Sequence, residues 1–135
     1  VKFKDPDNGL LAGLGGVLLR SSDGGRTWNY LPSGSKQALF SGVFAESNLV
    51  VVGEKGVRRI SDDDGATFSR LGDEDGKGRF PADKHGYFRD MTCGTPSVCW
   101  MVGAAGNVLR STDAGLSWFE ILPQPEQIPA TGAGE

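Results

Sequence analysis

One octet of this sequence, Ser111-Thr112-Asp113-Ala114-Gly115-Leu116-Ser117-Trp118, decides the fold because the chain carries three versions of it. The other two are Ser21–Trp28 and Ser61–Phe68, and all three follow the pattern Ser-x-Asp-x-Gly-x-Thr/Ser-aromatic. The octets begin at positions 21, 61 and 111, so their spacing is 40 and then 50 residues. A repeat of about 40–50 residues is typical of propeller blades, and the spacing therefore predicts an array of blades.

Each repeat is long enough for four short strands. The segments are rich in Val, Leu, Phe and Trp and are bounded by Gly, Asp, Asn, Ser or Pro, a pattern typical of strands and tight turns. No stretch sustains a 3.6-residue apolar period, so we expect no helix longer than a turn. The predicted fold is all-β, with three four-stranded antiparallel blades of an incomplete, open β-propeller. The predicted strands are Val1–Asp5, Gly9–Leu14, Val17–Ser22, Thr27–Leu31, Ala38–Ala45, Asn48–Glu54, Val57–Asp62, Thr67–Leu71, Tyr87–Cys93, Val98–Ala104, Asn107–Asp113 and Ser117–Leu122.

A pair of glycines begins eight residues before each octet. We place each pair in the turn between the second and third strands of its blade, where a positive φ favours glycine. The pairs are Gly13-x-x-Gly16, Gly53-x-x-Gly56 and Gly103-x-x-Gly106.

The octet is predicted to form the hairpin between the third and fourth strands. An aspartate in a turn accepts hydrogen bonds from backbone N–H groups one or two residues further on, and glycine supplies a backbone shape that a Cβ would resist. The closing aromatic ring is expected in the blade interior. An alternative interpretation makes the three aspartates metal ligands or catalytic acids, but the turn alone accounts for them. The residues given this structural role are Ser21, Asp23, Gly25, Trp28, Ser61, Asp63, Gly65, Phe68, Ser111, Asp113, Gly115 and Trp118.

The octet resembles the Asp-box, or BNR repeat, of sialidases, sortilin-type receptors and many secreted propellers. The longer strings Gly103–Trp118 and Phe3–Ser21 are similar to the photosystem II stability/assembly factor family. This resemblance implies Asp-box hairpins in an extracytoplasmic, non-enzymatic propeller that helps to assemble or stabilise a membrane-bound photosynthetic complex. Members of the family have about seven blades, whereas three repeats are present here.

Composition and charge exclude several functional classes. The net charge of −3 argues against a nucleic-acid binder, and no run of 18 apolar residues is present to span a membrane. The first residue is Val1 rather than Met, from which we expect a processed or excised chain.

The two cysteines, Cys93 and Cys99, fall on neighbouring strands of the third blade when the repeats are aligned. Cross-strand neighbours are close enough for a disulfide, and the alternative is a pair of buried thiols. A disulfide favours a periplasmic or otherwise extracytoplasmic location, peripheral to a membrane. Two cysteines without a nearby histidine do not indicate a zinc site.

Catalytic and metal chemistry find little support in the sequence. The single histidine, His85, lies in a polar insertion, and no G-x-S-x-G motif is present. A sialidase would be expected to use a tyrosine nucleophile with a glutamate and an arginine cluster, but its Phe-Arg-Ile-Pro signature is missing. Calcium at the acidic segments 62–64 and 73–78 is the alternative to solvated loops, although Lys77 occupies a ligand position. We therefore predict no enzyme, no metal and no cofactor.

Four arginines are candidate partner-binding residues: Arg20, Arg58, Arg59 and Arg110. The alternative is that they pair with aspartates across strands. The first and last of them occupy the same repeat position, just before the octet serine, where the second repeat has Ile60.

The predicted domain organisation is one repeat domain over residues 1–122. Its blades lie at about 1–32, 37–71 and 87–122, with an insertion at 72–86 and an extended Pro- and Gly-rich tail at 123–135. An open arc leaves apolar rows bare at its two ends, at Val1–Phe3 and Trp118–Leu122, so we expect that the chain is not a free monomer. It would either dock on a larger assembly or pair with further blades, and two copies could close a six-bladed ring.

The function these observations favour is a non-catalytic, extracytoplasmic protein-binding subunit or assembly factor. By resemblance, its partners are protein subunits of a membrane-bound complex, with a photosynthetic reaction-centre complex as the expected one. The alternative is a carbohydrate-binding or sialidase-like Asp-box protein.

Overall fold

The computed structural model describes residues 1–71 and 86–121, and these form three four-stranded antiparallel sheets. The predicted all-β fold is therefore confirmed. In the described ranges, helical structure is limited to two 3₁₀ turns, Leu14–Gly16 and Ala104–Gly106. The strands are β1 Lys2–Phe3, β2 Gly9–Ala12, β3 Leu18–Ser21, β4 Asn29–Tyr30, β5 Leu39–Ala45, β6 Asn48–Gly53, β7 Arg58–Ser61, β8 Ser69–Arg70, β9 Phe88–Cys93, β10 Cys99–Gly103, β11 Val108–Ser111 and β12 Phe119–Glu120.

Each sheet is one blade built from four consecutive strands. Blade 1 has the order β1-β2-β3-β4, blade 2 the order β5-β6-β7-β8 and blade 3 the order β9-β10-β11-β12. The fourth strand of every blade is only two residues long, shorter than the sequence predicts. The octet occupies the connection between the third and fourth strands of each blade, and the first two residues of each predicted fourth strand lie in that turn.

The glycine pairs differ from the prediction in one respect, because only the second member has a positive φ. Gly16, Gly56 and Gly106 have φ of 80°, 72° and 74°. In blades 2 and 3 the first member must be glycine for another reason, because a backbone carbonyl oxygen lies very close to its Cα. A Cβ at Gly53 would lie 2.0 Å from the carbonyl oxygen of Ala38, and one at Gly103 would lie 2.3 Å from that of Tyr87.

The hydrophobic core lies between the blades. Strand β6 is buried on both sides, which explains its continuous apolar sequence: Leu49 and Val51 face blade 1, and Val50 and Val52 face blade 3. The cluster between blades 1 and 2 contains Leu10, Leu18, Leu39, Leu49, Val51 and Val57. The cluster between blades 2 and 3 contains Val43, Ala45, Val50, Val52, Leu71, Phe88, Met91, Cys99, Met101, Leu109, Ala114 and Trp118.

The two cysteines form a disulfide within blade 3, as predicted. Cys93 and Cys99 are directly opposite each other on β9 and β10, with a Cα–Cα distance of 3.9 Å. Cys99 is buried in the cluster between blades 2 and 3, so the bond ties the first two strands of blade 3 beside the core.

Reducing this disulfide is expected to lower the free energy of unfolding by about 2 kcal/mol, because the bond closes a short loop in the unfolded chain. Urea unfolding followed by circular dichroism, with and without dithiothreitol, measures the effect. A Cys93→Ala/Cys99→Ala variant is the control and is expected not to respond to the reductant. An unchanged midpoint for the reduced natural chain would contradict the prediction.

The predicted apolar rows at the two ends of the array are partly correct. Val1 and Phe3 are exposed, as are Phe119 and Ile121. Trp118 is not, since its ring faces blade 2 and is only 2% exposed. Leu122, nearly all of the predicted insertion and the whole predicted tail lie outside the described residues.

Candidate partner-binding site

Each octet is held by the same set of hydrogen bonds. In the first, the Ser21 hydroxyl donates to Oδ1 of Asp23 at 2.9 Å and accepts from the Gly25 amide at 2.8 Å. The Thr27 amide donates to Oδ1 of Asp23 at 2.9 Å, and the Thr27 hydroxyl donates to its Oδ2 at 2.6 Å. The equivalent contacts recur in the second and third octets. The aspartate oxygens are thus occupied within the turn.

Each aspartate was predicted to accept a hydrogen bond from a backbone amide one or two residues further along the chain. This was wrong, because the amide that donates is four residues further along. Two successive residues with positive φ curl the chain back toward the carboxylate; in the second octet these are Asp64 at 58° and Gly65 at 89°. The octet serine has a role that the sequence pattern left unexplained. Its buried hydroxyl links the aspartate to the glycine amide. The occurrence of serine at the first position of all three octets was the sequence feature that could have indicated this role.

These hydrogen bonds lower the pKa values of the octet aspartates. The Thr27 hydroxyl and amide, with the Ser21 hydroxyl, lower the pKa of Asp23 from 3.8 to about 2. The Thr67 hydroxyl, then the Ser61 hydroxyl and the Thr67 amide, lower the pKa of Asp63 to about 2. Burial raises the pKa of Asp113, but the Ser117 hydroxyl and amide outweigh it, so that this pKa is also lowered.

Stability is therefore expected to fall as the pH drops from about 4 to about 2. Between the unfolded pKa of 3.8 and the folded pKa of about 2, the unfolded chain binds more protons, so acid favours unfolding. Urea midpoints measured from pH 5 to pH 2 test this dependence. The Asp23→Asn variant should show a shallower dependence in this window, and an unchanged one would contradict the assignment.

The octets also form the junctions between blades. A Cβ on Gly65 would lie 2.6 Å from Cδ1 of Leu31 in blade 1, and one on Gly115 would lie 2.6 Å from Cγ2 of Val50 in blade 2. Asn48 of blade 2 donates a buried 2.9 Å hydrogen bond to the carbonyl of Ala114 in the third octet. The second and third octets therefore join their own blades to the preceding ones.

The prediction that all three octet aromatics lie in blade interiors was wrong, because the octets lie at the junctions between blades. Trp118 is buried between blades 2 and 3. Phe68 is half-buried beside the cluster between blades 1 and 2. Trp28 is half-buried and packs edge-on against Phe3, with ring centroids 6.0 Å apart. In the described chain no blade precedes blade 1, which leaves Trp28 without the cover that blade 2 gives to Trp118.

Of the four candidate arginines, Arg20 lies between two blades. Its Nη2 forms an ion pair with Asp64 of blade 2 at 3.3 Å and donates to Oδ1 of Asn8 at 3.0 Å. Its guanidinium carbon lies 5.2 Å from the ring centroid of Phe44, also in blade 2. The alternative interpretation had the arginine pair with an aspartate across strands; Arg20 does pair with an aspartate, but with one of the next blade.

Arg58 and Arg59 lie in one basic groove of about 220 Å³. Arg59 is directly opposite Arg70 on the neighbouring strand, and Lys55 lies in the turn before β7. Arg70 was not among the predicted residues, because only the strand pairing brings it beside Arg59. Lys55 was not among them either. The described lining residues are Ser35, Gln37, Lys55, Gly56, Val57, Arg58, Arg59, Arg70 and Leu71.

Arg110 does not line this groove and stacks on an aromatic ring. Its guanidinium carbon lies 5.2 Å from the ring centroid of Trp100 on the opposed strand position. The Nε atom of Arg110 is shielded from solvent, and no described residue accepts a hydrogen bond from it.

The structure does not bring metal-ligating residues together within the two described ranges. There, no three His, Cys, Asp or Glu side chains are grouped to hold a metal ion. His85 and residues 73–78 lie outside these ranges. Within them, no helix has the length and apolarity needed to cross a membrane.

Comparison with known proteins shows the fold. No protein-family model and no curated protein matches the sequence. A structure of YCF48 bound to D1 peptide is similar, with a TM-score of 0.69 and 22% identity over 90% of this chain and 38% of that one. YCF48 from Cyanidioschyzon merolae gives a TM-score of 0.65 and 24% identity over 91% of this chain and 36% of the other.

A more distant likeness is to the GH74 enzyme of Niastella koreensis, with a TM-score of 0.52 and 16% identity over 80% of this chain and 18% of that one. The chain thus spans well under half the length of each of these proteins. At these identities the comparisons show that its three sheets are blades of a propeller fold.

Proposed function

We propose that this chain is part of a non-catalytic, extracytoplasmic propeller protein that binds a polypeptide segment of a membrane-bound photosynthetic complex and assists its assembly. The observation that carries the proposal is the likeness of its three blades to a YCF48 structure with a bound D1 peptide. The resemblance of the octets to the Asp-boxes of the photosystem II stability/assembly factor family supports the same function. The disulfide supports an extracytoplasmic location.

The basic groove is the proposed contact for the polypeptide. Lys55, Arg58, Arg59 and Arg70 line this groove. An arginine can bind a peptide carboxylate with two parallel hydrogen bonds, and here it would do so in exchange for the interactions that Arg58, Arg59 and Arg70 already make. Ser35 and Gln37, from the connection between blades 1 and 2, would add polar contacts at the rim. Arg20 is assigned a structural role instead, because it already bridges two blades.

Binding of a labelled D1 peptide, followed by fluorescence anisotropy, tests this function directly. We expect the Arg59→Ala/Arg70→Ala variant to bind at least about tenfold more weakly, since charged hydrogen bonds contribute about 1.5–3 kcal/mol each. Arg26→Ala is the control, because it removes an exposed arginine of blade 1 that does not line the groove, and it should bind like the natural chain.

Co-purification with detergent-solubilised photosynthetic membranes tests the wider proposal. The tagged chain is expected to retain a photosynthetic complex, and the Arg59→Ala/Arg70→Ala variant is expected to retain less. The proposal would be overturned if the chain bound neither the D1 peptide nor the solubilised complex. Binding of oligosaccharides instead would favour the carbohydrate alternative, for which the likeness to a GH74 enzyme is the supporting observation.

A further inference from the structure

The turn between the first and second strands is closed differently in each blade, although the strands that it joins are equivalent. In blade 2 this turn has only two residues, Glu46 and Ser47. In blades 1 and 3 it has five residues, 4–8 and 94–98. One backbone hydrogen bond of 3.0 Å joins the first and last residues of each five-residue turn. The two longer turns differ in the other groups that hold them.

In blade 1 the turn is held by a carboxylate. Oδ1 of Asp5 accepts hydrogen bonds from the amides of Asp7 and Asn8 at 2.9 and 2.8 Å. The Asn8 side chain donates to both oxygens of Asp5, at 3.0 and 2.9 Å. This closure consists of hydrogen bonds, so a reducing agent does not change it.

In blade 3 the turn is held by the disulfide. Cys93 and Cys99 are the residues that flank the turn, and they occupy the positions of Phe3 and Gly9 in blade 1. Within the turn, the Thr95 hydroxyl accepts a 3.1 Å hydrogen bond from an amide three residues further along the chain. A reducing agent can therefore open the closure of this turn while leaving that of blade 1 intact.

The same turn supports the junction between blades 2 and 3. The Ala114 amide, in the third octet, donates a 3.0 Å hydrogen bond to the carbonyl of Ser97 in the turn. The Ala114 carbonyl accepts the buried hydrogen bond from Asn48 of blade 2. In blade 1 the Gly24 amide makes the equivalent contact with the carbonyl of Asp7 at 2.9 Å. The residue through which Asn48 joins the two blades is thus held by the turn that the disulfide closes.

One cysteine of the pair is accessible and the other is not. Cys99 is fully buried, whereas Cys93 is half-buried and lines a cavity of about 310 Å³ to which all three blades contribute. Lys2 and Lys4 line the same cavity, and none of the described residues that line it is acidic. Disulfide exchange requires a thiolate, which is an anion, so the two ammonium groups favour its approach to Cys93. Reactive cysteines are found in such electropositive, partly exposed surroundings.

We propose that the Cys93–Cys99 disulfide is a redox site, at which an external dithiol attacks Cys93, and that its reduction loosens the junction between blades 2 and 3. The first thiol of the reductant, once deprotonated, bonds to Sγ of Cys93. The S–S bond breaks, and Sγ of Cys99 receives its electron pair and a proton from water. This inference does not depend on the peptide-binding function.

The second thiol of the reductant completes the reaction. Once deprotonated, it attacks the reductant sulfur that is bonded to Cys93. The reductant then leaves as a disulfide, and Cys93 takes up a proton and becomes a thiol. Two electrons and two protons thus pass from the dithiol to the chain, as in other thiol–disulfide exchange reactions.

Reduction by dithiothreitol at several urea concentrations tests whether the folded chain reacts. Alkylation of the new thiols, followed by mass spectrometry, gives the rate. Well below the unfolding midpoint the rate is expected to stay within about twofold, because unfolding, which urea promotes, is not required. The proposal is overturned if the rate rises with urea in proportion to the unfolding equilibrium constant, since only the unfolded chain would then react.

Thiols of opposite charge test the electropositive cavity. The anion mercaptoethanesulfonate is expected to react at least about threefold faster than the cation cysteamine, after each rate is divided by that for the urea-unfolded chain. Lys4→Ala should lower this ratio; Lys2 is not varied, because it also pairs with Asp90 at 3.3 Å. Lys36→Ala is the control, since this exposed lysine does not line the cavity. An equal ratio in the natural and Lys4→Ala chains would overturn the proposed route of attack.

Hydrogen exchange measured by NMR tests the effect on the junction. On reduction, exchange of the Ala114 amide is expected to accelerate at least about threefold more than that of the Gly24 amide, its equivalent in blade 1. The Cys93→Ala/Cys99→Ala variant should show the fast Ala114 exchange with and without dithiothreitol, and circular dichroism confirms that it is folded. Equal acceleration of the two amides, or none, would overturn the proposal, because reduction would then not act on this junction.

Discussion

Replacing Trp118 by alanine is expected to lower the free energy of unfolding by about 3–5 kcal/mol, a large part of the stability of a small domain. The ring is 2% exposed and lies in the cluster between blades 2 and 3. Its Nε1 also donates a 2.8 Å hydrogen bond to the carbonyl of Gly115, within its own octet. The substitution therefore removes both a large buried surface and a hydrogen bond, and urea unfolding followed by circular dichroism measures the loss.

The matched control is Trp28→Ala, which removes the same residue type from the same position of the first octet. Trp28 makes the same hydrogen bond, to Gly25 at 3.0 Å, but its ring is only half-buried. We expect a loss of about 1–2 kcal/mol. Because the octet contacts are equivalent, the difference between the two variants reports the packing supplied by the preceding blade. Equal losses would show that this packing does not stabilise Trp118.

Replacing Gly115 by alanine is expected to cost about 2–5 kcal/mol. Gly115 has a φ of 86°, at which a Cβ costs about 1–2 kcal/mol, and the new Cβ would lie 2.6 Å from Cγ2 of Val50. Since that methyl group is fully buried and belongs to another blade, the junction must open slightly, which adds about 1–3 kcal/mol. The change in urea midpoint measures the total.

Gly25→Ala separates the backbone contribution from the contact between blades. Gly25 has nearly the same φ, 87°, but the nearest atom to its added Cβ is Cζ2 of Trp28 at 3.4 Å, within blade 1. We expect only the backbone cost of about 1–2 kcal/mol. If the two glycine variants lost the same stability, the contact with Val50 would carry no energetic weight.

The repeat architecture could be predicted because its signals are local and occur three times. The number and order of the strands in all three blades and the pairing of Cys93 with Cys99 follow from the aligned repeats and agree with the structure, although the first strand of blade 1 and the fourth strand of each blade are shorter than predicted. The range of the aspartate hydrogen bonds could not be predicted in the same way. It depends on two successive residues with positive φ, and one of them is Asp64 or Ala114 rather than glycine in the second and third octets.

The candidate partner-binding residues were less predictable than the fold. The sequence treats Arg20, Arg58, Arg59 and Arg110 alike, yet the structure divides them among three environments. Arg20 pairs with Asp64 across a blade junction, Arg59 lies opposite Arg70 in the basic groove, and Arg110 stacks on Trp100. These differences depend on which residue lies opposite the arginine on the paired strand and on which residues the adjacent blade contributes. The sequence immediately around the arginine does not specify either of them.

The sequence by itself determined the all-β fold, the three blades and the disulfide, because turn chemistry and hydrophobic spacing act over a few residues and repeat along the chain. Only the tertiary structure decided which octet aromatic is buried, which glycine tolerates no Cβ and which arginine lies between two blades. Trp28 and Trp118 have equivalent local sequences but different burial, since a blade packs against one and no described blade packs against the other. Burial depends on what lies across the junction, 40 or more residues away in the chain.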